Sequence, residues 1–311
     1  MLVRAGRLPR GYSKIGDDVA IVPAREGRLV LKVDMLVEHT DVPPGMTYRH
    51  AARKAVAMCV SDFAAKGVRP DSFMVSLGLR RRVTQAEVGG LAAGFRDAER
   101  EWGVHMVGGD TNEAKELVID CAMAGFAERV IPRGGARPGQ ALVVTAPFGL
   151  PPAGLRILEG KAKAFGGFSA RARSSVLLPT PDLETGLALA PFLSAAMDSS
   201  DGLARSLHTI ARESGVGFEV KRLPVAGGVL GFAADNGLVP DRLVLEGGEE
   251  YIVVGTIGRS NVRAARSAAR RAGGDLIEIG VVTSEEGKVR LRKGTKLEPI
   301  RDSGWTHLAR G

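Results

Sequence analysis

Short β-rich runs alternate with stretches of helical period along the whole chain, and this alternation confines the fold to the α/β or α+β class. In the first half, strands are expected at residues 19–22, 29–34, 72–77, 105–107 and 117–125. Between them Ala52, Ala55, Val56, Cys59, Val60 and Phe63 recur at close to helical period, which predicts a helix over 47–66. Thr84 and Glu87 carry the T-x-x-E pattern of a capping box, so another helix opens there and should end near Gly103.

The segment IPRGGARPGQ at 131–140 concentrates Pro and Gly between two patterned regions, and the domain boundary is placed there, giving domains 1–137 and 138–311. Beyond it a strand is expected at 141–144, helices at 153–159 and 182–190, and a strand running into Asp198. A helix over 202–214, a strand over 251–257 and a helix over 261–272 continue the alternation. A chain of 311 residues is long enough for two packed cores, and no short repeat, heptad or low-complexity tract offers another architecture.

The formal charge of +8 favours anionic ligands, which raises nucleic acid as one reading. The basic residues are scattered, with Arg80, Arg81 and Arg82 the longest run, and aromatics at 5% are too few for a base-stacking surface. A small phosphorylated substrate fits the charge at least as well, and nucleic acid is not an expected partner. Cys59 and Cys121 lie in apolar segments without metal-ligand spacing, so they read as buried free thiols. The first residues lack a signal-peptide apolar run, and no stretch reaches about 18 uninterrupted apolar residues. The expectation is a cytoplasmic protein without a membrane partner.

Aspartates stand repeatedly at the ends of apolar strands or beside glycine: Asp17 and Asp18 in GDDVA, Asp34 in LVLKVD, Asp110 in VGGDT, Asp198 and Asp201 in MDSSDG. Asp62 stands in SDFAAKG. A strand end delivers a side chain from rigid backbone, and glycine admits a phosphate close to the main chain. Carboxylates gathered together repel unless cations lie between them, and hard oxygen donors select magnesium. Taken singly, Asp18 or Asp201 reads as a turn or N-cap residue. The sequence carries no G-x-x-x-x-G-K-[ST] loop, no G-x-G-x-x-G and no protein-kinase H-R-D set, so ATP use must go through another architecture. Nor does it carry a G-x-S-x-G elbow, an H-E-x-x-H pair or a C-x-x-C motif.

Seven ordered blocks resemble the thiamine-monophosphate kinase family, within the superfamily that includes aminoimidazole ribonucleotide synthetase and selenophosphate synthetase. They are IGDDVA at 15–20, DMLVE at 34–38, SDFAAKG at 61–67, GGDT at 108–111, MDSSDGL at 197–203, GGEEY at 247–251 and GWTH at 304–307. The resemblance implies an N-terminal β-rich ATP-binding domain that builds a barrel across a homodimer, and a C-terminal α/β domain closing over the nucleotide. It implies magnesium at Asp17, Asp34, Asp62, Asp110, Asp198 and Asp201, with Asp110, Asp198 and Asp201 central to catalysis. Gly109, Asp110, Arg133 and Ser200 match positions that contact ATP, and Glu249 and Trp305 match positions that hold the thiamine end of the substrate. The chain departs from the family pattern at Cys59, where Asn is usual, and at Asp41, where His is usual; an Asp at 41 suits the cationic ring system or a metal.

The activity so implied moves the γ-phosphoryl of ATP onto thiamine monophosphate. Its acceptor is a phosphate already anionic near neutral pH, so no general base is required, and the lack of a poised His fits. Selenophosphate synthesis would call for a reactive Cys near the N-terminus, and none precedes Gly16. Hydrogenase-maturation relatives end in a cysteine tail, whereas this sequence reads WTHLARG. The alternatives are another ATP-using enzyme of the superfamily or a degenerate ATP-binding regulatory module. Trp305 has two readings, an indole stacked on the thiamine rings or a side chain pinning the tail to the surface.

Overall fold

A computed structural model describes residues 17–24 and 27–305. Ile15 and Gly16 of IGDDVA, and Thr306 and His307 of GWTH, lie outside the described residues, as does the N-terminal stretch read for a leader. The first region runs β1 (Ala20–Pro23), β2 (Arg28–Val37), α1 (Glu38–Asp41), α2 (Tyr48–Lys66), β3 (Pro70–Arg80), α3 (Gln85–Trp102), β4 (His105–Ala114) and β5 (Val118–Ala127). Its strands form one sheet in the order β1-β2-β5-β3-β4, antiparallel except for the parallel β3–β4 pair. The capping box at Thr84 and Glu87 forms as expected, and Gly103 ends α3 in the left-handed conformation. β4 runs well beyond the expected 105–107, because pairing with β3 draws the glycine- and aspartate-rich GGDTN into the ladder against its local propensity.

Among the described residues, helices cover one face of this sheet and none packs on the other. Strand period two sends Phe73 and Val75 of β3 and Ile119, Cys121 and Met123 of β5 to the inner face, where all are buried. The helices α2 and α3 pack there, so closely that a Cβ at Gly94 would run into the Arg49 carbonyl oxygen. Val33, Met35, Met74, Val107 and Phe126 remain exposed.

The second region contains β6 (Ala141–Val144), α4 (Leu150–Leu158), α5 (Gly166–Leu177), α6 (Leu183–Leu189), β7 (Leu193–Ser199), α7 (Leu203–Ser214), β8 (Gly217–Val220), α8 (Val229–Asp235) and α9 (Pro240–Leu245). β9 (Ile252–Ile257), α10 (Val262–Arg271), β10 (Ile277–Thr283), β11 (Val289–Lys293) and β12 (Lys296–Pro299) complete it. A seven-stranded mixed sheet results, ordered β12-β11-β8-β10-β6-β9-β7. Every residue of β9 is buried, as both faces are covered. α5, α8, α9, β8 and the last three strands add to the elements expected from sequence; their runs are short or interrupted by glycine and proline, which hides period. Two mixed sheets with packed helices make this an α/β (α+β) fold.

α2 joins the regions. It is buried on nearly all sides, against β2 and β5 of the first sheet and against α6, β7 and β9 of the second region. A single apolar core therefore runs from Val56 and Phe63 into Leu189, Ala196 and Val253. Cys59 and Cys121 are free, buried thiols, and Cys59 Sγ donates to the Cys121 carbonyl at 3.3 Å. No helix among the described residues is long and apolar enough to cross a membrane.

Candidate active site

On β2 the inner face reads Val30, Lys32, Asp34 and Leu36, two buried apolar residues flanking a charged pair. α2 lies over that face and lowers Asp62 between them, while β7 brings Asp198 from the other sheet. Asp18, Asp62 and Asp198 are all buried and place oxygen atoms within 4.8 Å of one another. Ser61 donates to Asp198 at 2.9 Å. Lys32 stands 2.7 Å from Asp62 and 3.1 Å from Asp34. Lys66, fully buried, reaches Asp17 and Asp18 at 2.6 Å each and donates to the Ala196 carbonyl at 2.8 Å. Arg133 Nε donates to Asp18 at 2.6 Å.

Burial drives the electrostatics. Desolvation, reinforced by Asp198, pushes the Asp62 carboxyl well above the usual carboxylate range despite Lys32. Desolvation and the nearby Asp18 push Asp198 up to about 7, against the pull of Lys32 and Ser61. Asp34 is raised, again mainly by desolvation. Burial also acts on Asp17, but Lys66 and the amides of Asp18 and Arg133 outweigh it and hold the group below its ordinary value. Burial would lower Lys32, yet Asp62 and Asp34 raise it further than burial lowers it. A set of oxygen-only donors that resists ionisation until more positive charge arrives fits a hard divalent cation such as magnesium.

These groups close one end of a cavity of about 380 Å³ between the two regions. Its walls include Asp34, Asp62 and Asp198 at the carboxylate end, with Arg133, Ser200 and Asp201 beside them. Met58 and Leu155 add apolar surface, and Asp41, Glu249, Tyr251 and Trp305 also line the space. Glu249 and Tyr251 hold left-handed backbone, φ 62° and 51°, within a loop whose amides donate to Ser200 and Ser199 carbonyls. Such conformations cost about 1–3 kcal/mol each, so surrounding contacts must hold them. One is Lys54, buried on α2, which donates to the Asp41 carbonyl at 2.8 Å and pairs with Glu249. The Trp305 amide donates to the Asp201 carbonyl at 3.0 Å, and a Cβ at Gly304 would strike that same oxygen.

Nine of the sequence-predicted site residues thus line one cavity: Asp34, Asp41, Asp62, Arg133, Asp198, Ser200, Asp201, Glu249 and Trp305. Asp17 does not line it and pairs with Lys66, while its neighbour Asp18 joins the close triad. Gly109 and Asp110 do not line it. They sit on β4, three strands from β2, with Asp110 exposed and accepting from the Thr111 amide at 2.8 Å. Sequence reasoning passed over Lys32, Lys54, Lys66 and Ser61. Lys66 looks like an ordinary dipole-pairing cation at a helix end, and only Lys32, a charge inside an apolar strand, carried a visible signal. A larger hollow of about 480 Å³ lies at α10, walled by Arg259, Arg263, Arg266 and Arg270, and includes no predicted site residue.

Residues 16–127 match the AIR synthase related protein N-terminal domain family, and residues 137–292 match its C-terminal domain family. The thiamine-monophosphate kinase of Nitrosopumilus maritimus is 38% identical over 95% of this chain and 94% of its own length. The chain belongs to the thiamine-monophosphate kinase family. A second member of that family, from Pyrococcus abyssi, is 34% identical over 96% of this chain and 91% of its own. Among solved structures, AaThiL complexed with AMPPCP and TMP superposes with a TM-score of 0.84 at 28% identity, covering 94% of this chain and 92% of that one. The two-region fold found here is thus the thiamine-monophosphate kinase fold.

Proposed function

We infer that the chain transfers the γ-phosphoryl group of ATP to thiamine monophosphate, forming thiamine diphosphate. The observation that carries this is the single cavity, with a charge-dense carboxylate end and an end where Glu249, Asp41 and an indole meet. A phosphate acceptor is its own nucleophile, so the protein's tasks are alignment and charge compensation rather than proton removal. Asp18, Asp34, Asp62 and Asp198 would hold magnesium, with Asp17 and Asp201 close by; bound there, it supplies positive charge between two phosphate groups that otherwise repel. Arg133 and the Ser200 hydroxyl orient the nucleotide phosphates, and Asp41, Glu249 and Trp305 the cationic rings. We place the reaction in the cytoplasm, where ATP is available.

The bare face of the first sheet supports a homodimer, in which a second copy covers Val33, Met35 and Met74 and the two sheets close into a barrel. The same arrangement supports a nucleotide role for Gly109 and Asp110, whose edge strand would reach a cavity through the partner copy. Purified protein supplied with ATP, magnesium and thiamine monophosphate should form thiamine diphosphate, followed by fluorescence after oxidation; absence of product overturns the assignment. Light scattering should give twice the 32.7 kDa chain mass. Val33→Asp should shift that mass to one chain, and an unshifted dimer would remove this face as the interface.

A further inference from the structure

Lys32 stands where a carboxylate cluster ordinarily takes a cation from solvent. It precedes Asp34 by two residues on one strand face, and its ammonium bridges Asp62 at 2.7 Å and Asp34 at 3.1 Å. Lys66 is committed to Asp17, Asp18 and the Ala196 carbonyl, and Arg133 pairs with Asp18. Among the described residues, Lys32 is therefore the cation placed on Asp34 and Asp62. The same Asp62 belongs to the triad with Asp18 and Asp198.

We propose that Lys32 is a tethered cation that holds the Asp34 and Asp62 oxygens before a divalent ion loads, so that metal entry there requires Lys32 to give way. An ammonium and a magnesium-type ion compete for the same oxygen pair, because two positive charges set on it repel and the ion takes as ligands the lone pairs that the ammonium uses as hydrogen-bond acceptors. A competitor attached to the site lowers apparent metal affinity by the fraction of time the site is closed. The four-carbon stem of lysine lets the head move while the strand stays in register. The result is a site that folds with its buried charges compensated and binds metal weakly until phosphate groups bring further ligands. This rests on the kinase reading of the cavity for the need of a metal, but the competition itself is a property of these side chains.

Manganese titration of the metal-free full chain, without nucleotide and followed by electron paramagnetic resonance, tests it. Lys32→Gln should bind manganese at least about tenfold more tightly than the wild type. Lys32→Arg, whose planar fork engages both carboxylates at once, should bind it several-fold more weakly. Manganese affinity in Lys32→Gln equal to or weaker than wild type, with circular dichroism showing the native fold, overturns the proposal. Should that variant not fold, unchanged or tighter binding in Lys32→Arg overturns it instead. If the wild type forms thiamine diphosphate while all three proteins bind manganese alike, the tethered cation falls and the kinase reading stands. If no thiamine diphosphate forms yet Lys32→Gln gains affinity, the kinase reading falls and the tethered cation stands.

Discussion

At one end of the cavity Asp62 and Asp198 sit on regular elements, whereas at the other Glu249 and Trp305 hang from loops. Asp62 and Asp198 are buried on an α-helix and a β-strand and are braced by Lys32 and Ser61. Trp305 is 52% exposed, and Glu249 stands in a left-handed loop tied down by Lys54. Charge compensation between phosphates needs fixed dipoles and ions in a dry site, because reorganisation there is costly. Recognition of a flat organic cation needs only a shaped, partly wet surface. The contrast teaches where each kind of loss should be felt: turnover at the buried end, substrate binding at the open end.

The sharpest way to break the contrast is Asp198→Asn, which keeps the shape but removes charge from the triad. Turnover should fall by about 100-fold or more with the fold retained, since a transition-state interaction is lost. Near wild-type turnover, measured with saturating substrates, would mean that the buried end is structural.

The same end predicts a pH effect in the metal-free protein. Asp198 is pushed up to about 7 in the folded state, and Asp34 and Asp62 shift in the same direction. Between the ordinary carboxylate range and about 7 the folded state holds a proton that the unfolded state has released. Stability therefore falls as pH rises through that window, and the penalty is fully present above it. Thermal melting should be several degrees lower at pH 8 than at pH 5.5, and magnesium should narrow the gap. A melting temperature flat or rising over that range would contradict the buried-acid picture.

Lys54→Met tests the join between the ends. Removing the ammonium frees the Glu249 loop and strips a donor from the Asp41 carbonyl. The Michaelis constant for thiamine monophosphate should rise about tenfold while turnover changes by no more than about threefold. A turnover collapse without a change in that constant would place Lys54 with the buried end.

Trp305→Ala should give the smallest effect. Stacking of an indole on a cationic ring contributes roughly 0.5–2 kcal/mol, so the constant for thiamine monophosphate should rise several-fold. The constant for ATP and the melting temperature should hardly move, because the tail is anchored through the Trp305 amide and Gly304 rather than through the indole alone. Early melting with an unchanged substrate constant would restore the tail-pin reading.

Much of this molecule was legible along the chain. The capping box at Thr84 and Glu87, the strand into Asp198 and the long helix ending at Lys66 are local features, decided by side-chain period and by hydrogen bonds a few residues apart. So too was the family, because its seven blocks are contiguous. What the chain could not decide was which of two neighbours faces inward. Asp17 and Asp18 are adjacent, and only the packing of the 17–24 segment against Lys66 and Arg133 sends Asp18 into the triad and leaves Asp17 outside it. The lysines are the same lesson. Lys32, Lys54 and Lys66 have long flexible stems whose partners, Asp62, Glu249 and Asp18, lie 30, 195 and 48 residues away in sequence. Sequence period says which face a residue lies on, but the charge that meets it is chosen by the fold, because electrostatic pairing acts through space and is strongest where packing has removed the water.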